Sequence, residues 1–402
     1  MQVFREYFSP FSSLISADTL KNLLIQDNLI IFIRYILLPS TSLIQPATLV
    51  NHYYMKIKEL GEFELIEKIK EITETRNYNH SITLPNGDDC FAFKEKNNIL
   101  ITTDTLVEDV HFIKDTFPPY ELGIKSAASN LSDIAACGGI PKYALVSLIL
   151  PPELEVDWLL EFYKGLNYLF SKYTTYIGGG NISKGEKISI TITLIGTAEK
   201  PIPRSKAKPG DSIFITGTVG DSRLGLEILL SKQKPSTDYE KYLVKRHLEP
   251  TPRIEVGQSI KEIATSCIDI SDGLIQDLNH ILESSNTGTE IELEKIPISN
   301  EYMSYLKRKN DKEVKPLELK TLEVKPLELK TLEYALTGGE DYELIFTVPP
   351  DKEEEIKRIS EKVGVKITKI GKITESKGIK MLFRNMVIKP EEILNKYGWE
   401  HF

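Results

Sequence analysis

The chain has 402 residues, of which 41% are hydrophobic and 27% charged; this is enough apolar material for ordinary cores in about two domains. A formal net charge of −8 argues against nucleic acid as the main partner, but not against anionic ligands, because a bound metal inverts the local field. The three cysteines, Cys90, Cys137 and Cys267, stand far apart with no C-x-x-C pairing, which fits a reducing, cytoplasmic setting and no zinc site.

The first 54 residues read differently from the rest. "LKNLLIQDNLIIFIRYILL" (Leu20 to Leu38) is very apolar, yet Asp27 and Arg34 interrupt it. A membrane span wants about 20 residues with few charges, and no small-residue cleavage site follows closely. Neither a span nor a signal peptide is expected; an amphipathic helix on a membrane or partner is the alternative. "MKIKELGEFELIEKI" from Met55 reads as a natural domain start, so residues 1–54 are taken as an extension outside the fold.

From there the pattern gives a helix (Glu62 to Ile72), strands near Asp89–Phe93 and Ile99–Thr103, and a helix of small residues that stops at Gly138-Gly139. "YALVSLILP" (Tyr143 to Pro151) is an apolar run of strand length, Val156 to Tyr173 has helical spacing, and "KISITITLIGTA" (Lys187 to Ala198) alternates as a strand does. "GGGNISKGEK" (Gly178 to Lys187) reads as a Gly-rich turn. The boundary between an N-terminal domain (55–200) and a C-terminal one (201–402) is placed in Lys200–Pro209. Beyond it, strand, Gly-rich turn and helix follow in Ala207–Leu230 and again in Cys267–Leu282; "YELIFTVP" reads as a strand and "KEEEIKRISEKVG" as a helix. The class is mixed α and β. "VKPLELKTLE" occurs at 314–323 and again at 324–333, too short a unit for a solenoid, and reads as a duplication in a surface loop.

Carboxylates recur at telling places. Asp88 and Asp89 precede a strand. "ILITTDTLVEDVHF" puts Thr102, Thr103 and Asp104 where its strand is expected to end, with His111 seven residues on. Asp269 and Asp272 sit at another strand tip, and Asp133 lies among Leu131, Ile134, Ala135 and Ala136. Each alone is ordinarily a cap or turn residue. Asp133 is harder to explain that way: a buried carboxylate needs a partner, no Arg lies within four residues, and the nearest upstream lysine is Lys125. Mg²⁺ shared among several segments would satisfy all of them, and Mg²⁺ implies phosphates. Cations for phosphates exist in Arg204, Lys206 and Lys208, and in Lys184 beside Asn181. A P-loop is excluded because Gly217–Gly220 lacks the G-K-[ST] ending. No G-x-S-x-G elbow is present, and Cys90 and Cys137 read as core thiols. His111 stands between two readings, a loop or core histidine and a site residue.

The motifs "GEFELI", "GDDC", "TTDTLVEDVHF", "NLSDIAACGG", "RSKAKPGD", "TGTVGDS", "KRHLEPTPR", "DISDGL" and "TGGEDYELIF" follow in the order and spacing of the thiamine-monophosphate kinase family, in the superfamily of aminoimidazole-ribonucleotide synthetase. The resemblance covers about Gly61 to Phe402. It implies an N-terminal α/β domain whose strands build a β-barrel across a homodimer, and a C-terminal α+β domain. It implies ATP and thiamine monophosphate as substrates, several Mg²⁺ ions, and direct in-line transfer without a covalent intermediate. The family's metal positions fall on Asp89, Thr102, Thr103, Asp104, Asp133, Asn181, Asp269 and Asp272. Its nucleotide contacts fall on Tyr163, Gly180, Asn181, Arg204 and Ser271, and its thiamine-side contacts on His111, Glu340 and Trp399. One departure stands out: many relatives have G-G-D-T-T-R-G where this chain has "GGNISKG", with Asn181 for Asp and Lys184 for Arg. The rival within the superfamily is a synthetase that uses ATP to activate an amide oxygen; outside enzymes, it is a nucleotide-binding maturation or scaffold protein.

Overall fold

A computed structural model describes residues 56–60, 62–73, 82–84, 92–93, 95–232, 234–313, 332–389 and 393. The chain divides into two compact units, Met1–Tyr53 and Tyr54–Phe402, and every described residue belongs to the second. Leu20–Leu38 and nearly all of the 314–333 duplication therefore lie outside the described residues.

Helices α1 (Ile57–Leu60) and α2 (Glu62–Thr73) come first, then a small antiparallel pair, β1 (Ile82–Leu84) with β2 (Ala92–Phe93). The next four strands form one sheet in the order β3 (Asn98–Val107), β6 (Ser189–Ala198), β4 (Ile140–Leu150), β5 (Tyr176–Lys184). Only β4 and β5 pair in parallel, and a parallel pair needs a crossover, here helix α4 (Val156–Lys172). Helix α3 (Pro119–Ala136) links β3 to β4 and packs on α4, β3 and β6. Its run of Ala, Ser and Leu lets it sink almost wholly into the core.

Strand side chains alternate between faces. On β3 the even positions, Thr102, Asp104 and Leu106, face the helices, whereas Ile99 and Ile101 are 52% and 70% exposed on the outer face. Ile140, Leu145 and Ile149 of β4 are exposed too. Threonine pairs cross from β3 to β6, Thr103 to Thr193 at 3.2 Å and Thr105 to Thr191 at 2.9 Å.

The second sheet has seven strands in the order β13 (Met386–Ile388), β12 (Gly378–Phe383), β9 (Gly288–Glu292), β11 (Ile367–Thr374), β7 (Ser212–Thr216), β10 (Leu344–Val348), β8 (Ser266–Asp269). All pairs are antiparallel except β12 with β9. Around it lie α5 (Asp221–Leu230), α6 (Asp238–Leu248), α7 (Ile254–Ile260), α8 (Leu274–Ser285), α9 (Asn300–Glu313), α10 (Glu333–Thr337) and α11 (Glu353–Val363). The start of α6 is written locally: Thr237 accepts from the Glu240 N–H and the Glu240 side chain reaches back, a capping box. Under β7, the fully buried Glu343 carboxylate accepts hydrogen bonds from Arg246 (2.9 Å), Arg253 Nε (2.6 Å) and Thr216 (2.7 Å). Helix α3 also touches β8 and α7, so one helix lies against both sheets. No described helix is long and apolar enough to cross a membrane.

Two expectations need correction. Asp104 is not at a strand tip, because β3 runs on to Val107; the hydroxyls and polar residues after Ile101 continue the alternation on a strand with one inner and one outer face. The "Gly-rich turn" is strand β5, paired with β4 over its length. A side chain on Gly180 would put its Cβ 1.8 Å from the Val146 carbonyl oxygen, so close pairing requires the glycine.

Candidate active site

Helix α3 carries a polar stripe through its apolar body. Lys125, Ser129, Ser132 and Asp133 lie four, seven and eight residues on from the first, hence on one side of the helix. At 1.5 Å per residue, Lys125 and Asp133 stand about 12 Å apart along the axis.

At the C-terminal end of the stripe the carboxylates gather. Thr102 of β3 donates to Asp133 Oδ2. Asp269, the last residue of β8, is buried beside Asp133. Asp104 is next, with Ser129 against it and Asp272 close enough to add its charge. Burial, then repulsion from Asp133 and Asp272, pushes the Asp104 carboxyl up to about 6. Burial likewise raises Asp133, against the pull of Thr102 and Arg204, and Asp269 is driven well above the usual range by burial and by Asp133. Arg204, exposed on the segment between the sheets, is the cation that acts on Asp133.

The turn after β8 is held by a residue the sequence reading passed over. Asp277 Oδ2 accepts the backbone N–H groups of Ser271, Asp272 and Gly273, each at 3.1 Å. This fixes both Ser271 and Asp272. The segment Gly338–Tyr342 docks on that turn: Glu340 N–H donates to Ser271 O at 2.7 Å and Tyr342 N–H to Ile270 O at 2.9 Å. Gly339 permits the approach, since its Cβ would meet Ser271 O at 2.3 Å. Glu340 and Tyr342 both hold positive φ, 64° and 51°, a strained backbone of the kind found where side-chain aim matters. Tyr342 is buried; that burial, then Glu340, Asp104, Asp269 and Asp133, raises its hydroxyl far above the ordinary tyrosine range.

At the other end of the stripe Lys125, 1% exposed, meets Glu340 Oε1 at 2.9 Å. His111 is also near: its Nδ1 accepts the Val107 N–H at 3.0 Å, so a neutral ring carries its proton on Nε2. Burial alone would raise the Glu340 carboxyl, but Lys125, His247 and His111 outweigh it and hold it below the usual range.

The structure thus brings together Thr102, Asp104, Asp133, Arg204, Asp269, Ser271 and Asp272, with His111 and Glu340 at the far end. Other expected residues stand apart from the cluster. Thr103 turns its hydroxyl to the outer face of the sheet, toward Ile192 O and Thr193. Asn181 pairs in register with the exposed Ser147 and bonds Ser183 at 3.0 Å, also on the outer face, and its strand is at the opposite edge from β3. Tyr163 is buried in α4 with Phe162 edge-on at 5.6 Å, and the described contacts of Gly180 explain it by strand pairing. Asp89 and Trp399 lie outside the described residues.

The clustered donor set fits a hard cation: carboxylate and hydroxyl oxygens with more negative charge than Arg204 balances. Among the described residues no three acidic, imidazole or thiol side chains converge tightly enough to chelate an ion alone.

Comparison with known proteins follows the same lines. Residues 87–198 match the family "AIR synthase related protein, N-terminal domain", and residues 208–383 its C-terminal domain. The thiamine-monophosphate kinase of Aquifex aeolicus is 38% identical over 349 residues, 87% of this chain and all of that protein. That of Haemophilus influenzae is 39% identical over 350 residues, 85% and 98% of the two chains. A solved structure, "AaThiL complexed with AMPPCP and TMP", superposes with a TM-score of 0.64 at 37% identity, covering 87% of this chain and 100% of that one.

Proposed function

The chain belongs to the thiamine-monophosphate kinase family, and from that premise we propose that it moves the γ-phosphoryl group of ATP in line onto the phosphate of thiamine monophosphate, giving thiamine diphosphate and ADP. The stripe on α3 carries this reading. It sets Asp133, with the carboxylate cluster and Arg204, about 12 Å along the helix from Lys125 and its partner Glu340, while the Ser271 turn touches the Glu340 backbone; this is room for a triphosphate facing an acceptor phosphate. The 55–200 part supplies Asp104, Asp133 and His111; the 201–402 part supplies Arg204, Asp269, Ser271, Asp272 and Glu340.

Mg²⁺, held by Asp104, Asp133, Asp269 and Asp272 with Thr102 orienting Asp133, would neutralise charge on the phosphates. The protein's own part is positioning. Arg204 faces the donor phosphates, the turn pinned by Asp277 presents Ser271, and His111 Nε2–H is a donor for the acceptor. The attacking oxygen is already ionised at neutral pH, so no strong general base is needed. The low-dielectric setting of the half-buried, crowded carboxylates strengthens contacts of this kind.

The outer face of the four-stranded sheet supports a homodimer. Exposed isoleucines and leucine line it, and a second copy closing on it would build a barrel. Thr103 and Asn181 sit on that face at opposite edges of one sheet, so they can join a site only where two copies meet. The setting is cytoplasmic, where ATP and Mg²⁺ are supplied.

The test is product analysis with thiamine monophosphate, ATP and Mg²⁺. Thiamine diphosphate should appear in equal amount to ADP, and a chirally labelled γ-phosphoryl group should arrive inverted. ADP without thiamine diphosphate would point to another ATP-using reaction, and retention would point to a phosphorylated enzyme.

A further inference from the structure

Behind Glu340 lies a buried polar chain that the transfer itself does not use. Lys125 Nζ is 2.9 Å from Glu340 Oε1 and 3.3 Å from His247 Nε2. His247 Nδ1 is 3.0 Å from Ser222 Oγ and 3.6 Å from Glu340 Oε2. Phe117 closes it off, with the ammonium 5.4 Å above its ring and the imidazole 5.9 Å from it. Lys125 and His247 are each 1% exposed. The Glu340 side chain alone, 28% exposed, opens outward.

Stability alone gives little reason for such a chain. A buried ion pair seldom beats well-packed apolar residues of the same volume, and Gly338–Tyr342 is already fastened by its backbone bonds to Ile270 and Ser271. The backbone strain at Glu340 points the same way. The donors run in one direction: the ammonium donates to Glu340 Oε1 and to His247 Nε2, which leaves the Nδ1–H to donate to Ser222. Oε1 is thereby occupied, while Oε2 stands 3.6 Å from His247 Nδ1, beyond hydrogen-bond distance, and keeps its accepting capacity.

We propose that Lys125 and His247 are positioning residues for the acceptor: together they clamp Glu340 so that one carboxylate oxygen is presented, in a single orientation, to a hydrogen-bond donor on the thiamine moiety. This rests on Glu340 being on the thiamine side, as the function above has it. Pairing with Lys125 cancels the charge of Glu340, so its service to the ligand is a directed acceptor rather than a bare countercharge. Recognition of the substrate by this group then depends on two residues that never touch it.

The experiment measures thiamine monophosphate binding by calorimetry, together with kcat and KM for both substrates. It uses the full chain and the variants Lys125→Met, His247→Gln, Glu340→Gln and the pair Lys125→Met with Glu340→Gln. Lys125→Met and Glu340→Gln are each expected to weaken thiamine monophosphate at least tenfold while KM for ATP stays within about twofold. In the double variant the losses should not multiply, because Lys125 acts through Glu340. His247→Gln should weaken the same substrate by a smaller factor. Unchanged acceptor binding in Lys125→Met beside a clear loss in Glu340→Gln would overturn the proposal, as would losses that multiply or that fall equally on ATP. If Lys125→Met does not fold, His247→Gln decides, and unchanged acceptor binding there overturns the clamp. If Glu340→Gln itself binds thiamine monophosphate normally, the thiamine-side placement of Glu340 falls, and the clamp with it.

Discussion

At Asp104, burial and the neighbouring Asp133 and Asp272 act in the same direction, and the carboxyl titrates near 6 instead of the ordinary value of about 3.9. Between those values the folded protein holds more protons than the unfolded chain. Its stability without metal therefore falls as pH rises from about 4 through about 6. A divalent cation relieves the same repulsion, so Mg²⁺ should raise Tm more at pH 7.5 than at pH 5.5; an equal rise at both would disprove the linkage. Replacing Asp104 or Asp133 by Asn removes the charge that a cation needs. Each change should cut kcat at least a hundredfold, which is about 2.7 kcal/mol at 1.36 kcal/mol per decade, while the metal-free protein melts no lower than the parent. Near-normal kcat at saturating Mg²⁺ in either variant would show that the carboxylates do not share the cation. These residues were readable from sequence because a carboxylate in an apolar helix demands a partner. Thr103 was not separable from Thr102, since only the pleat assigns one hydroxyl to Asp133 and the next to the opposite face.

Among the elements, the strands β7 and β10 meet at a buried ionic cluster. Glu343 is fully buried between Arg246 and Arg253, and losing one partner of such a cluster typically costs 3–5 kcal/mol. Glu343→Ala should therefore lower stability by about that amount in denaturant unfolding, with a change below 1 kcal/mol showing the cluster to be dispensable. The motif "KRHLEPTPR" marks the arginines in the sequence, but their common partner is 90 and 97 positions away, beyond any local pattern. Helices α2, α4 and α11 were read nearly to their ends because period and caps are local signals, whereas α6, α7 and α9 were not read. Strand β5 was mistaken for a turn because its glycines answer to the carbonyl of Val146 on β4, a neighbour more than 30 residues earlier in the chain. His247 was missed for the same reason, since its partner Lys125 is 122 positions away; Asp277 was missed although it acts on Ser271, Asp272 and Gly273 just before it.

For the molecule as a whole, the proposed dimer rests on the outer face of the four-stranded sheet. A charge placed there, as in Ile101→Glu, should shift sedimentation from dimer to monomer and lower kcat, while circular dichroism stays unchanged. A monomeric protein before the substitution would refute the barrel. Every motif of the site follows Gly61 and the chain divides at Tyr53, so a chain begun at Met55 should keep its kcat within about twofold of the full length. Loss of activity would assign the first 54 residues to the fold. The order of motifs revealed the family from sequence. The order of strands did not follow from it, and that order is what sets Asn181 at the far edge of the sheet from Asp104.

Helix α3 also sets a rule for which changes in length the chain can absorb. Each residue of a helix turns its successors by about 100° and advances them 1.5 Å. One residue gained or lost between Lys125 and Asp133 would swing one end of the stripe off the site while leaving the other in place. The spacing of the two ends of the stripe, and with it the proposed separation of donor and acceptor, is thus gauged by a count of residues, and single-residue insertions should be missing from this eight-residue interval in active variants. The two ten-residue copies at 314–323 and 324–333 lie outside this interval, following the last residue of α9 and ending on the first of α10.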